Sequence, residues 1–339
     1  MPFRLGISLS VLLTFGFAQF TVAQEDVLTV KEGAPTTYIV VKGDTLWDIS
    51  ALYLDSPWLW PRLWQVNPDI ENPHLIYPGD KLSLIWRNGR PMLSLKPMVK
   101  LSPKVRVLDK QALPTINEAL VLPYLESDRL LSDQDLVSSA RVLGSSDGAQ
   151  YLTENKVIYI SKSNVHSDWL IYRPLNEYQR DEHKITALKQ VAKATWFSDD
   201  ESYSGLKVVE QNQEILANDI VLPVIEGITE SLSTTFYPAA SPAQSVANVL
   251  GALEGSHYVG QNQVIVIDRG SIDQLRQGSM FELYAQGAFV DGDKHLPDTL
   301  IGHLMVIRPY EHFSLALVTQ STQPISQQTL LRSPLDTFE

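Results

Sequence analysis

The stretch "YIVVKGDTLWDISALYL", Tyr38 to Leu54, decides how the first part of this chain is read. "YIVVKGD" alternates and ends in a Gly-Asp turn, which predicts a strand. "TLWDISALYL" then places Leu46, Ile49 and Tyr53 at helical spacing, and Thr45 with Asp48 forms a T-x-x-D capping box that fixes the helix start. Downstream, "PRLWQVN" predicts a second short helix, with Pro61 suited to its first turn. "NPHLIYPGD" reads as a turn-rich loop and "KLSLIW" as a closing strand. The order over Thr37–Trp86 is strand, helix, helix, strand.

The residues "Y-x-V-x-x-G-D-T-L-W-D-I-S" (Tyr38–Ser50), "VNP" (Val66–Pro68) and "NPHLIYPGDKLSL" (Asn72–Leu84) together resemble the LysM domain. That family is a small βααβ module binding N-acetylglucosamine-containing glycans such as peptidoglycan and chitin. The resemblance implies a groove between the first strand–helix loop and the second helix–strand loop. Carried onto this chain, its walls are Gly43, Asp44, Thr45 and Leu46 on one side and Asn72, Pro73, His74, Leu75 and Ile76 on the other. A neutral, hydroxyl-rich ligand is held there by backbone N–H and C=O groups, with Leu46 and Ile76 facing the N-acetyl methyl. Pro73 and Pro78 stiffen the second loop. Asp44 and Thr45 have a competing role as helix-capping residues.

"LDSPWLWP" lengthens the crossing between the helices and departs from the short polar link of many LysM domains. Three of the chain's seven tryptophans, Trp58, Trp60 and Trp64, lie here. Trp60 shares a helical face with Leu63 and is expected inside. Trp58 and Trp64 are expected at a partly exposed surface of this domain, beside the groove or against the β-modules.

Outward from this block, "RLGISLSVLLTFGFAQFTVA" has Arg4, an apolar run over Leu5–Phe17 and small residues Thr21 and Ala23 before a cleavage point. Residues 1–23 are therefore expected to be a secretory signal peptide, with 24–36 a short linker and no transmembrane segment in the mature protein. Residues 87–144 carry spaced prolines and Lys96, Lys100, Lys104 and Arg106, and read as an irregular linker. The remainder is strand-rich, expected as one β-module over 145–225 and a second over 226–339. "LKVVEQNQEILANDIVLP" aligns with "ALVTQSTQPISQQTLLRSP", pairing Val208 with Val318, Gln213 with Gln323 and Ile215 with Ile325. A repeated small barrel or sandwich would explain this. The expected fold class is thus multidomain and mixed, a βααβ domain followed by a mostly-β region.

A net charge of −12 argues against nucleic acid as a partner. With no cysteine there is no thiol nucleophile, disulfide or lipid-modified cysteine. The histidines show no H-x-H or HExxH spacing. No catalytic residue, metal or cofactor is expected. The reading is an exported, periplasmic, peptidoglycan-binding protein whose β-modules contact protein or a second copy. Two alternatives stand beside it: a murein hydrolase with an unrecognised carboxylate pair, and an assembly protein whose LysM-like block does not bind glycan.

Overall fold

The computed structural model describes residues 28–65, 75–96, 113–125, 129–148, 156–161, 166–224, 232–253, 257–290 and 294–335. The first unit runs β1 (Thr37–Ile39), α1 (Leu46–Tyr53), a 3-10 turn (Pro57–Leu59), α2 (Trp60–Gln65), β2 (Lys81–Arg87) and β3 (Arg90–Lys96). The strands make an antiparallel sheet in the order β1-β2-β3, with Tyr38 opposite Leu82 and Leu84 opposite Leu93. β3 falls where sequence suggested linker. Its cause is the Asn88-Gly89 pair, both at positive φ (52° and 77°), which closes a tight hairpin matched to strand twist.

Four further elements also replace parts of the expected linker: α3 (Glu118–Leu125), β4 (Leu130–Ser132), α4 (Asp133–Ser138) and β5 (Ala140–Gly144). β5 is a strand of the first β-module, paired to β10 (Ile220–Pro223) through Ile220 and Arg141. That module adds β6 (Val157–Ser161), β7 (Asp168–Arg180), β8 (His183–Asp199) and β9 (Tyr203–Gln211). Around the sheet the order is β8-β7-β10-β5-β6-β9, and β9 pairs back to β8, closing a barrel. β4 adds to its rim by pairing with β8.

The second module comprises β11 (Ala239–Ala240), β12 (Val246–Ala252), β13 (Val264–Ile267), β14 (Ser279–Ala285), a small hairpin of β15 (Phe289–Val290) and β16 (Lys294–His295), β17 (Thr299–Pro309), β18 (Ser314–Ser321) and β19 (Leu330–Arg332). Its closed order is β14-β17-β18-β13-β12-β19, with β19 returning to β14 and β11 added in parallel. Numbered by position in its own barrel, each module has the same cyclic order, third, fourth, fifth, second, first, sixth. The repeat seen in sequence is therefore a repeat of topology. Ile215 and Ile325 are both fully buried, each in the core of its own barrel. The turns that follow match as well: Asp219 accepts the Leu216 N–H through its side chain (2.8 Å), and Thr329 accepts the Ser326 N–H likewise (3.1 Å).

The second barrel is buried on both faces of its central strands. Ile265, Phe281, Leu304 and Val306 fill the interior. Val264, Val266, Met280, Met305, Ile307, Leu315 and Leu317 form an outer layer that is also buried. This explains why "VIVI" and "LMVI" are continuous apolar runs rather than alternations. Three things cover the layer: Trp47 and Trp58 of the first unit, Val121 and Leu125 of α3, and Tyr178, Ile185 and Ala187 of the long β7–β8 hairpin. Polar groups fix the contacts at their edges. Buried Arg308 donates to the carbonyls of Tyr124 and Leu125 (3.1 and 3.2 Å), placing a cation at the C-terminus of α3. Arg180 forms a two-pronged pair with Asp273 (2.6 and 2.9 Å), and the Tyr178 hydroxyl donates to the Ala252 carbonyl (2.8 Å).

Candidate glycan-binding site

The expected site lies on the first unit, at the loop between β1 and α1. The N-cap forms at Thr45 as sequence predicts, while the reciprocal bond of a capping box, from the Thr45 backbone N–H to Asp48, is replaced by one from the Thr45 hydroxyl. Thr45, in extended conformation, accepts the Asp48 N–H at 3.0 Å and donates its hydroxyl to the Asp48 carboxylate at 2.7 Å. Gly43 takes φ +99°, a left-handed conformation that suits glycine, and is solvent-exposed. Asp44 closes the turn: its carboxylate accepts the Val41 N–H (2.9 Å) and the Tyr38 hydroxyl (3.0 Å). Burial, then the bond and charge of Asp44, raise the Tyr38 phenol above its ordinary value. The side chains of Asp44 and Thr45 are therefore committed to the turn and the helix start.

Leu46 and Ile76 do not offer open apolar surface, as the sequence reading had them do; both are fully buried. Leu113 belongs to the same buried cluster, together with Val40, Ile49, Trp60, Leu63 and Trp64. Leu75 is exposed at 52%. Asn72, Pro73 and His74 lie outside the described residues.

Of the two tryptophans expected near the domain surface, Trp64 is inside and Trp58 lies against a β-module, one of its two expected placements. Trp64 is fully buried in the core of the first unit, beside Leu63 on α2, whose outer face is left to Arg62. Trp58 is 7% exposed and faces the second barrel, in the layer that contains Phe236. Trp60 is core, as expected, and its ring also meets that of Tyr237 with centroids 5.2 Å apart. None of the three is a free stacking platform.

Sequence reasoning missed the segment Leu113–Ile116, which runs along the N-terminus of α1. The carbonyl of Pro114 accepts the Leu46 N–H and that of Thr115 accepts the Trp47 N–H, each at 3.0 Å. These are donors that the first turn of a helix cannot satisfy internally. The signal was the apolar–Pro–Thr–apolar "LPTI", set in a region whose prolines and lysines suggested a solvated tether.

Among the described residues, two histidines distant in sequence meet: His183 and His312 stack at the barrel junction, centroids 3.5 Å apart. Among the described residues no group of three or more His, Asp or Glu side chains is arranged to hold a metal ion. A cleft of about 880 Å³ lies elsewhere, between the barrels, bordered by Leu175–Tyr178, Val249–Ala252 and Ile325–Gln328. No helix among the described residues is long and apolar enough to cross a membrane.

Residues 38–84 match the family profile of the LysM domain. This part of the chain is a LysM domain, a peptidoglycan- and chitin-binding module, and a mostly-β region follows it. One curated relative, the uncharacterized protein YqbP of Bacillus subtilis, is 38% identical over 63 residues, which cover 16% of this chain and 29% of the relative. The chain thus spans less than a third of that relative's length.

Proposed function

We propose that this is an exported, non-catalytic protein of the cell envelope that holds N-acetylglucosamine-containing peptidoglycan through its LysM domain. The observation that carries the reading is the LysM block itself, matched over residues 38–84 and built as β1-α1-α2-β2 with the capped Gly43–Thr45 turn at its edge. Contacts to glycan come from the backbone of that turn and from the loop before β2, since the side chains of Asp44 and Thr45 are engaged internally. The apolar leader over Leu5–Phe17 and the small residues up to Ala23 support export to the periplasm. The two barrels serve as a platform for a protein partner or a second copy. A single small module binds weakly, so retention on the wall rests on many sites presented together.

Sedimentation with purified insoluble peptidoglycan tests this. The mature protein is expected in the pellet, and removal of residues 37–96, which takes the whole three-stranded sheet, is expected to leave it in solution. Equal pelleting of both proteins would refute anchoring by the LysM domain. Release of soluble muropeptides would favour a hydrolase instead.

A further inference from the structure

We propose that Leu113–Ile116 is an internal occupant of the LysM glycan-binding edge, so that glycan binding and docking of this domain on the second barrel exclude one another. The inference rests on the glycan-binding reading above and adds a mechanism that controls it. An N-acetyl group presents an amide carbonyl and a methyl. The segment presents the same chemistry from within the chain: two peptide carbonyls, of Pro114 and Thr115, on the Leu46 and Trp47 N–H groups, and the Leu113 side chain in one buried cluster with Leu46 and Ile76. Leu113 is 3% exposed and Thr115 fully buried. The donors and apolar seat that a sugar amide would use at this edge are already filled.

The other side of the same segment grips the second barrel's leading strand region. The Thr115 N–H donates to the Thr234 carbonyl at 3.0 Å, and its hydroxyl donates to the Phe236 carbonyl (2.6 Å) while accepting the Phe236 N–H (2.9 Å). Ile116 joins Trp47, Trp58 and Phe236 in the buried outer layer of the barrel. Glu118, just beyond, accepts the Thr234 hydroxyl at 2.8 Å. Lifting the segment from α1 therefore strains the same residues that seat the domain on the barrel. An occupant that must leave before ligand enters lowers apparent affinity by the fraction of molecules that are open. By reciprocity, glycan that binds the open form drives the domain off the barrel and uncovers Phe236.

The test uses the full chain and chitopentaose as probe. Two variants release the segment without touching residues 38–84: Thr115→Val, which removes both hydroxyl hydrogen bonds, and Phe236→Ala, which opens the apolar seat from the barrel side. If either fails to fold by circular dichroism, the other carries the comparison. The proposal expects each to bind chitopentaose roughly ten-fold or more tighter than the unaltered chain. It also expects saturating chitopentaose to speed amide exchange at Thr115 and Phe236 in the unaltered chain. Equal affinity in all three, with no change in exchange, overturns the occlusion and leaves wall anchoring standing. Absence of binding by all three, in solution and to insoluble peptidoglycan, overturns both.

Discussion

Thr115 and Phe236 hold each other through a single hydroxyl, which donates to the Phe236 carbonyl at 2.6 Å and accepts its N–H at 2.9 Å. They are far apart in sequence and fully or nearly buried. With its own N–H on Thr234 and its carbonyl on Trp47, every hydrogen-bonding group of Thr115 is used. One residue thus joins the LysM domain to the second barrel.

Replacing that hydroxyl is expected to be costly. Thr115→Val keeps the shape but leaves the Phe236 N–H and carbonyl buried without this partner, a loss of about 1–3 kcal/mol. Chemical denaturation followed by fluorescence should show an earlier first transition. Unchanged unfolding would mean that the hydroxyl is replaceable by water.

Trp58 and Trp64 should separate docking from folding. Trp64→Ala empties a fully buried site in a small core and is expected to remove about 3–5 kcal/mol, enough to unfold the LysM domain. Trp58→Ala removes a ring from the layer shared with Phe236 and should leave α1 and α2 protected from amide exchange while loosening residues 234–237. Loss of protection throughout both helices in Trp58→Ala would place this ring in the domain core instead.

The barrel junction should weaken in acid. Burial alone would raise the Asp273 carboxyl, but the Arg180 hydrogen bond, the Gly270 N–H and the charges of Arg180 and Arg269 outweigh it and hold the group below its ordinary 3.8. A depressed carboxyl contributes its full stabilisation above that ordinary value and loses it as pH falls through the folded-state pKa. Arg180→Ala is expected to lower stability by about 1–2 kcal/mol near neutrality and to flatten the change below pH 3.8. Calorimetry at several pH values tests this, and an unaltered acid limb would assign it to other carboxyls.

His303 acts in a different window. Burial holds its imidazole below the ordinary 6.5, against smaller opposing effects of Glu282 and Gln320, and its Nδ1 has no hydrogen-bond partner. Below pH 6.5 the unfolded chain takes up a proton that the folded barrel refuses, so stability falls with pH down to the folded value. The slope contributed reaches at most about 1.4 kcal/mol per pH unit. His303→Gln should remove that slope, read from denaturation midpoints between pH 7 and 5. A variant as pH-sensitive as the unaltered chain would show that His303 is not the group responsible.

The local grammar of the LysM block was legible because each signal acts within a few residues. Thr45 caps at Asp48, Gly43 takes the left-handed turn, and Leu46, Ile49 and Tyr53 face one way. The barrel repeat was legible from Ile215 and Ile325 because equivalent turns bury equivalent side chains. Strand β3 could have been read from Asn88-Gly89, but the prolines and basic residues beyond it dominated the reading.

The sequence by itself determined the βααβ unit, the strand content and the existence of a repeat, since capping, turn chemistry and periodicity are short-range. Tertiary structure alone decided that Trp58 and Phe236 share a layer, that the second barrel is buried outside as well as in, and that Leu113–Ile116 lies along α1. An apolar run states that a strand is covered on both faces, not what covers it. A free helix N–H likewise requires an acceptor without naming one, and here it is a carbonyl more than sixty residues away, brought in by packing that no local pattern records.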